Sequence, residues 1–246
     1  MVLGQKGVGK TALFSALKHN AYAKALARYL NVKADQYTRM EWVVGTSQST
    51  NYTDIFGCLK DEGQIRAFLY YETIGVLLRE DRTLAEKIFK SPAGRLFKEA
   101  LCTEDDKMLN AETAFSLGKL LDEIDEEYQK KGKTITIIYD ALDRVVQRAD
   151  WSRFISALID MWYMKESGMK SIRSKIFLRK DIFEREVKVA DKVKLKNYSV
   201  TIGWEYDQLF AMVWKRIIGK AETVKNGMRN AAIKKLRLYQ GLDIFQ

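Results

Sequence analysis

The sequence predicts an α/β fold in which helices cover a mostly parallel sheet, and three features carry that expectation. A glycine-rich loop, Gly4–Thr11, runs directly into a segment of helical periodicity. A β-branched run, Thr134-Ile135-Thr136-Ile137-Ile138-Tyr139, ends in Asp140. Short strand-like runs alternate with longer helix-like ones, with no internal repeat and no evident domain linker.

The elements follow in chain order. Leu13, Ala16, Leu17, Ala21, Ala25, Leu26 and Leu30 recur at three- and four-residue steps, so a helix runs from Thr11 to about Leu30. Met40–Val44 reads as a short buried strand and Gly45–Thr53 as a polar loop. Asp54 is placed to cap a helix over 54–79, whose apolar positions include Ile55, Leu59, Ile65, Leu69 and Ile74. Further helix is expected around 83–101 and 111–130, with Pro92, after Ser91, in a first turn. Lys130–Lys133 forms the turn into the Thr134–Tyr139 strand. Trp151–Met164 returns to helix, and Lys175–Arg179 and Tyr198–Ile202 are short strands. Tyr206–Ile218 is an amphipathic helix and 221–240 a basic one.

Composition excludes several classes. With 47% apolar and 30% charged residues the chain is globular rather than disordered. No apolar run approaches the roughly 18 residues that span a bilayer. Met1–Gln5 carries neither a charged leader nor an apolar signal region, so no secretion or membrane role is expected. Two cysteines, Cys58 and Cys102, read as reduced thiols of a cytoplasmic protein. One histidine, His19, argues against histidine-rich metal sites and a serine–histidine triad. Residues 1–169 hold 24 Lys/Arg against 24 Asp/Glu, whereas 170–246 hold 18 against 8. The whole net charge of +10 therefore lies in the last third. Two readings of that asymmetry stay open: a surface for a polyanion such as nucleic acid, or a solvated basic face.

The loop Gly4-Gln5-Lys6-Gly7-Val8-Gly9-Lys10-Thr11 fits the phosphate-binding pattern G-x-x-x-x-G-K-[ST] at every position. Backbone N–H groups must curl around an anion, which is easiest at glycines that tolerate positive φ. The following helix aims its positive dipole end at the same anion. Gly4, Gln5, Lys6, Gly7, Val8, Gly9, Lys10, Thr11 and Ala12 are accordingly the candidate nucleotide-binding residues. Lys10 is expected to reach the β- and γ-phosphates of ATP, and the Thr11 hydroxyl to ligate Mg²⁺. The competing reading is a chance glycine turn before a helix. Only Met1-Val2-Leu3 precedes the loop, shorter than an ordinary strand of about five residues. An upstream segment is therefore expected to be missing from this sequence.

Asp140, at the end of an apolar strand, suits the second, metal-side acid of such a site. The next residue is Ala141, where many fast ATPases of this kind carry Glu to polarise the attacking water. Asp143 is the nearest replacement, so either Asp143 positions water or hydrolysis is slow; Asp143 is equally suited to cap the turn before Val145 and Val146. Arg179 ends the Lys175–Arg179 strand, where strand carboxyl ends line a ligand crevice. It is a candidate γ-phosphate sensor, with pairing to Asp181 as the alternative. Arg216, on the helix bearing Leu209 and Val213, is a candidate nucleotide contact from a small helical lid or a neighbouring subunit, or else a solvated arginine. The tryptophans are assigned to packing, and the Arg229–Arg237 cluster to a solvated, subunit or nucleic-acid face.

At Gly4–Thr11, Ile135–Arg144, Lys175–Phe183 and, more weakly, Tyr198–Ile218, the chain resembles P-loop ATPases of the STAND and AAA+-like group, with KAP-type and uncharacterised bacterial defence-associated ATPases among them. Asp140-Ala141-Leu142-Asp143-Arg144 is similar to the D-x-L-D-R form of that group's second motif. The resemblance implies a P-loop NTPase three-layer sandwich over 1–198, followed by a helical lid over 199–246. It also implies an ATP-loaded switch, working with Mg²⁺, that controls oligomerisation or a partner protein, in some relatives in defence against phage. The chain lacks the repeat arrays and effector domains of the larger members. A nucleic-acid-dependent ATPase using residues 170–246 is the second functional reading, and a substrate kinase the third.

Overall fold

A computed structural model describes residues 1–13, 28, 40–44, 53–92, 94–95, 97 and 109–221. The chain divides into two compact units, Met1–Ile202 and Gly203–Gln246. The helix expected beyond Leu13 toward Leu30 (residue 28 apart, which is helical), His19, the loop 45–52, Cys102, the side chain of Arg216 and the basic segment 222–240 lie outside the described residues.

The first unit is built on β1 (Val2–Gly4), β2 (Met40–Val44), β3 (Thr134–Tyr139), β4 (Ile172–Arg179) and β5 (Val200–Ile202). They form one five-stranded sheet in the order β2-β3-β4-β1-β5, and every pairing is parallel. The fold is thus α/β with an all-parallel sheet. The described helices of this unit are α1 (Thr53–Cys58), α2 (Glu62–Glu80), α3 (Arg82–Ile88), α4 (Ala111–Lys130), α5 (Trp151–Glu166), α6 (Lys180–Arg185) and α7 (Lys192–Asn197). The second unit contributes α8 (Tyr206–Ala221).

Ile135, Ile137 and Ile138 are all buried, as a strand covered on both faces requires. Against the sheet and each other pack Ile74 and Leu77 of α2, Leu120 and Ile124 of α4, and Phe154 and Leu158 of α5. Gly118 lets α4 approach α2: a Cβ there would lie 3.4 Å from the Tyr70 ring.

Four sequence expectations are corrected. The helix expected over 54–79 is two, because Asp61 and Gln64 form a reciprocal capping box that starts α2 afresh. The helical stretch expected over 83–101 is interrupted after Ile88; Ser91 then caps a new turn, its hydroxyl accepting from the Gly94 N–H at 3.0 Å, with Pro92 inside that turn. Strand β4 begins at Ile172 rather than Lys175. The Asp125 carboxylate of α4 accepts backbone N–H bonds from Lys170, Ser171 and Ile172 at 2.9, 2.9 and 2.6 Å and holds the strand's start. Finally, β5 is laddered to β1, so the unit boundary falls at 202/203 and not at 198/199.

Candidate functional site

Topology marks the place. From β1 the chain travels to the β2 edge, returns through β3 and β4, and then passes β1 to reach β5. The connections leaving neighbouring β1 and β4 therefore run in opposite directions. In open parallel sheets the crevice outside the carboxyl ends at such a reversal is where ligands bind. The carboxyl ends of β1, β3 and β4 carry, respectively, the glycine loop, Asp140 and Arg179.

The loop has the backbone that its glycines allow. Gly7 and Gly9 have φ of 82° and 96°, in the region that side-chain-bearing residues rarely adopt. Gly4 is required for a different reason: a Cβ there would lie 2.6 Å from Val8 Cγ1 and 3.0 Å from the Ile202 carbonyl oxygen. A helical turn opens at Lys10, with the Leu13 N–H donating to the Gly9 carbonyl at 2.9 Å. Gln5, Lys6, Gly7, Thr11 and Ala12 are exposed, while Val8, Gly9 and Lys10 are half-buried.

The Lys10 ammonium folds back over the loop and donates to the Gly4 and Gln5 carbonyls at 2.9 and 2.8 Å. An ammonium has three N–H donors, so one remains beyond these two bonds. Burial lowers the Lys10 pKa below the ordinary lysine value. The charge of Asp140 opposes that shift, Arg179 adds to it, and Asp143 and Asp181 oppose it more weakly. Lys10 thus feels four charged groups from the ends of two other strands.

Asp140 is buried immediately after β3. Its neighbour Tyr139 anchors the strand end: the phenol and the Thr73 hydroxyl of α2 share a buried hydrogen bond of 2.9 Å. Burial pushes the Tyr139 pKa up to about 12, so the phenol stays protonated. Ala141 has φ 56° and ψ 34°, the one non-glycine residue with positive φ among those described. A 3₁₀ turn, Leu142–Arg144, follows it.

Asp143 lies within that turn rather than at the position before it. Its carboxylate stands 3.7 Å from Arg179 Nη1. Arg179 Nε and Nη2 donate to the two oxygens of Asp181 at 3.1 and 2.6 Å, so the Asp181 pairing is made. The Asp181 fork raises the Arg179 pKa, and the same contact lowers that of Asp181.

The structure therefore brings Lys10, Asp140, Asp143 and Arg179 into one electrostatic cluster. Among the described residues, no group of three or more Asp, Glu, His or Cys side chains is arranged to hold a metal ion. Sequence reasoning missed the Thr73–Tyr139 bond and the backbone of Ala141. A threonine within the apolar face of α2 was the available signal for the first, and nothing in the sequence marked the second. A separate cavity of 560 Å³ is lined by Thr134, Ile172, Lys175 and Val200 and includes no member of the cluster.

Comparison with family models, with curated proteins and with solved structures yields no match. Among the described residues, no helix is long and apolar enough to cross a membrane.

Proposed function

We propose that this chain is a P-loop ATPase that binds Mg-ATP and hydrolyses it slowly, as a nucleotide-dependent switch for oligomerisation or for a partner protein. One observation carries the reading. A glycine loop fitting the phosphate motif, an acid and an arginine meet at the carboxyl ends of β1, β3 and β4, at the reversal of strand order.

The residues present fit such a ligand. The positive-φ glycines let loop N–H groups turn toward an anion, and the remaining Lys10 donor suits a β- or γ-phosphate oxygen. Thr11 and Asp140 are the residues that would hold Mg²⁺, which is bound by one or two side chains together with substrate phosphates rather than by a full protein cage. When bound, Mg²⁺ supplies positive charge to the phosphate oxygens. Arg179 matches the γ-phosphate oxygens, and Asp143 accepts a hydrogen bond from the attacking water. The water oxygen adds to the γ-phosphorus, the bond from that phosphorus to the bridging oxygen breaks, ADP departs, and phosphate and a proton are released. Ala141 supplies no carboxylate beside Asp140, which favours slow turnover and hence a switch.

The test is equilibrium binding of ATP to the full chain and to Lys10→Ala. Loss of affinity in the variant supports the reading, and equal affinity refutes it. The basic composition of 170–246 favours a second reading, a nucleic-acid-dependent ATPase. Turnover strongly stimulated by DNA or RNA selects it, and nucleotide-dependent assembly without stimulation selects the switch. The anti-phage role, the cytoplasmic location and the helical lid bearing Arg216 rest on the resemblance and composition alone.

A further inference from the structure

The Arg179 guanidinium has two unequal partners. Its Nε–Nη2 edge is closed by the bidentate fork to Asp181, the strong, planar arrangement that arginine and carboxylate favour. Its Nη1 faces Asp143 at 3.7 Å, beyond hydrogen-bond length. Both partners reach Arg179 from fixed backbone. Asp181 lies in the first turn of α6, for which Arg179 is itself the N-cap position. Asp143 lies in the 3₁₀ turn after β3. Arg179 and Asp143 are each about a quarter exposed, so their contact opens onto the crevice.

We propose that Arg179 exchanges one partner and keeps the other: Asp181 holds its Nε–Nη2 edge throughout, and an arriving γ-phosphate takes Nη1 from Asp143, freeing Asp143 to orient water. Asp181 is then a positioning residue, acting through Arg179 without touching nucleotide. The weaker contact yields because a phosphate oxygen at hydrogen-bond distance is a better partner for Nη1 than a carboxylate at 3.7 Å. Asp143 is kept paired until the phosphate to be attacked is present, which couples recognition of ATP to its hydrolysis. ADP has no γ-phosphate and leaves the Asp143–Arg179 pair in place.

This inference rests on the ATPase reading, and one experiment separates the two. A non-hydrolysable ATP analogue and ADP are titrated calorimetrically into the full chain and its variants. Asp143→Asn removes the competing charge, and is expected to bind the ATP analogue severalfold tighter with ADP affinity unchanged, while ATP turnover falls. Asp181→Asn loosens the guanidinium, and is expected to bind the analogue about tenfold more weakly, the scale of one charge-assisted hydrogen bond, with ADP unchanged. Asp181→Glu, which keeps the carboxylate, recovers part of that loss. Should Asp181→Asn fail to fold, Asp181→Glu and Asp143→Asn carry the test. Equal effects on both nucleotides, or none on either, overturn the exchange while leaving the ATPase reading intact. A wild-type chain that binds neither nucleotide overturns both.

Discussion

Gly4 and Arg179 face each other across the β1–β4 ladder, so the first residue of the glycine loop and the arginine of the site are fixed in register by backbone pairing. The arginine is placed by the sheet, and only its guanidinium is set by side chains. Gly4 also sits under Val8 and beside Ile202 of β5.

Gly4→Ala is therefore expected to disturb the loop more than its single methyl suggests. A Cβ 2.6 Å from Val8 Cγ1 forces Val8 or β5 to move. Overpacking of this kind costs about 1–3 kcal/mol. A lower melting temperature together with weakened ATP binding is the expected outcome, and a variant with wild-type values for both would show that the loop yields freely.

Asp125 gathers three backbone N–H groups at the start of β4. Removing its carboxylate strands buried donors, and a loss of about 2–4 kcal/mol is expected for Asp125→Ala. Denaturant unfolding measures it; a midpoint within error of wild type would contradict the role.

The Thr73–Tyr139 pair suits a double-mutant cycle. Thr73→Val leaves the Tyr139 hydroxyl buried without this partner and is expected to cost about 1–2 kcal/mol. Adding Tyr139→Phe should restore part of it, since two apolar groups need no hydrogen bond. Strictly additive losses would mean that the two hydroxyls do not support each other.

Ala141 holds a left-handed backbone that disfavours side chains by roughly 1–2 kcal/mol. Ala141→Gly removes that strain but adds freedom to the unfolded chain. Stability is expected to stay level or rise by up to about 1 kcal/mol, while Ala141→Val, which is β-branched, lowers it by more. Urea titration of the three chains distinguishes the outcomes.

Asp81 sets an acid-side dependence. Burial pushes its pKa up, but hydrogen bonds from Thr83, Lys131 and the Leu84 N–H, with the Lys131 charge, outweigh this and bring it to about 2 from 3.8. A carboxylate depressed in the folded state stabilises it above the unfolded value, and that contribution is lost as pH falls through the folded one. The Asp81 contribution is thus present above about pH 4 and disappears toward pH 2. Asp81→Asn is expected to lower stability at neutral pH and to flatten the decline between those values. Parallel stability–pH curves for the two chains would refute it.

Much of this was legible in local patterns. Met40–Val44 and Thr134–Tyr139 are strands with the bounds their sequence runs suggest, and β3 is apolar on both faces because it is buried on both. The start of β4 was not legible, since Arg173, Ser174 and Lys175 make that stretch polar and a carboxylate from α4 secures it. The break before α2 was written in Asp61 and Gln64, but the surrounding apolar periodicity concealed it. At the site, motif spacing marked Lys10, Asp140 and Arg179. The division of Arg179 between Asp143 and Asp181 depends on how three strand ends are spaced, which no local pattern encodes.

β1 is the first of the five strands to be synthesised, yet both strands that flank it, β4 and β5, belong to the far end of the first unit. Until Phe177 and Val200 have been synthesised, the strand that leads into the glycine loop has no paired neighbour. Pairings so distant along a chain are slow to close. A nascent chain arrested before β4 would carry the whole glycine motif on a strand with neither neighbour, so under the ATPase reading competence to bind nucleotide arrives only late in translation.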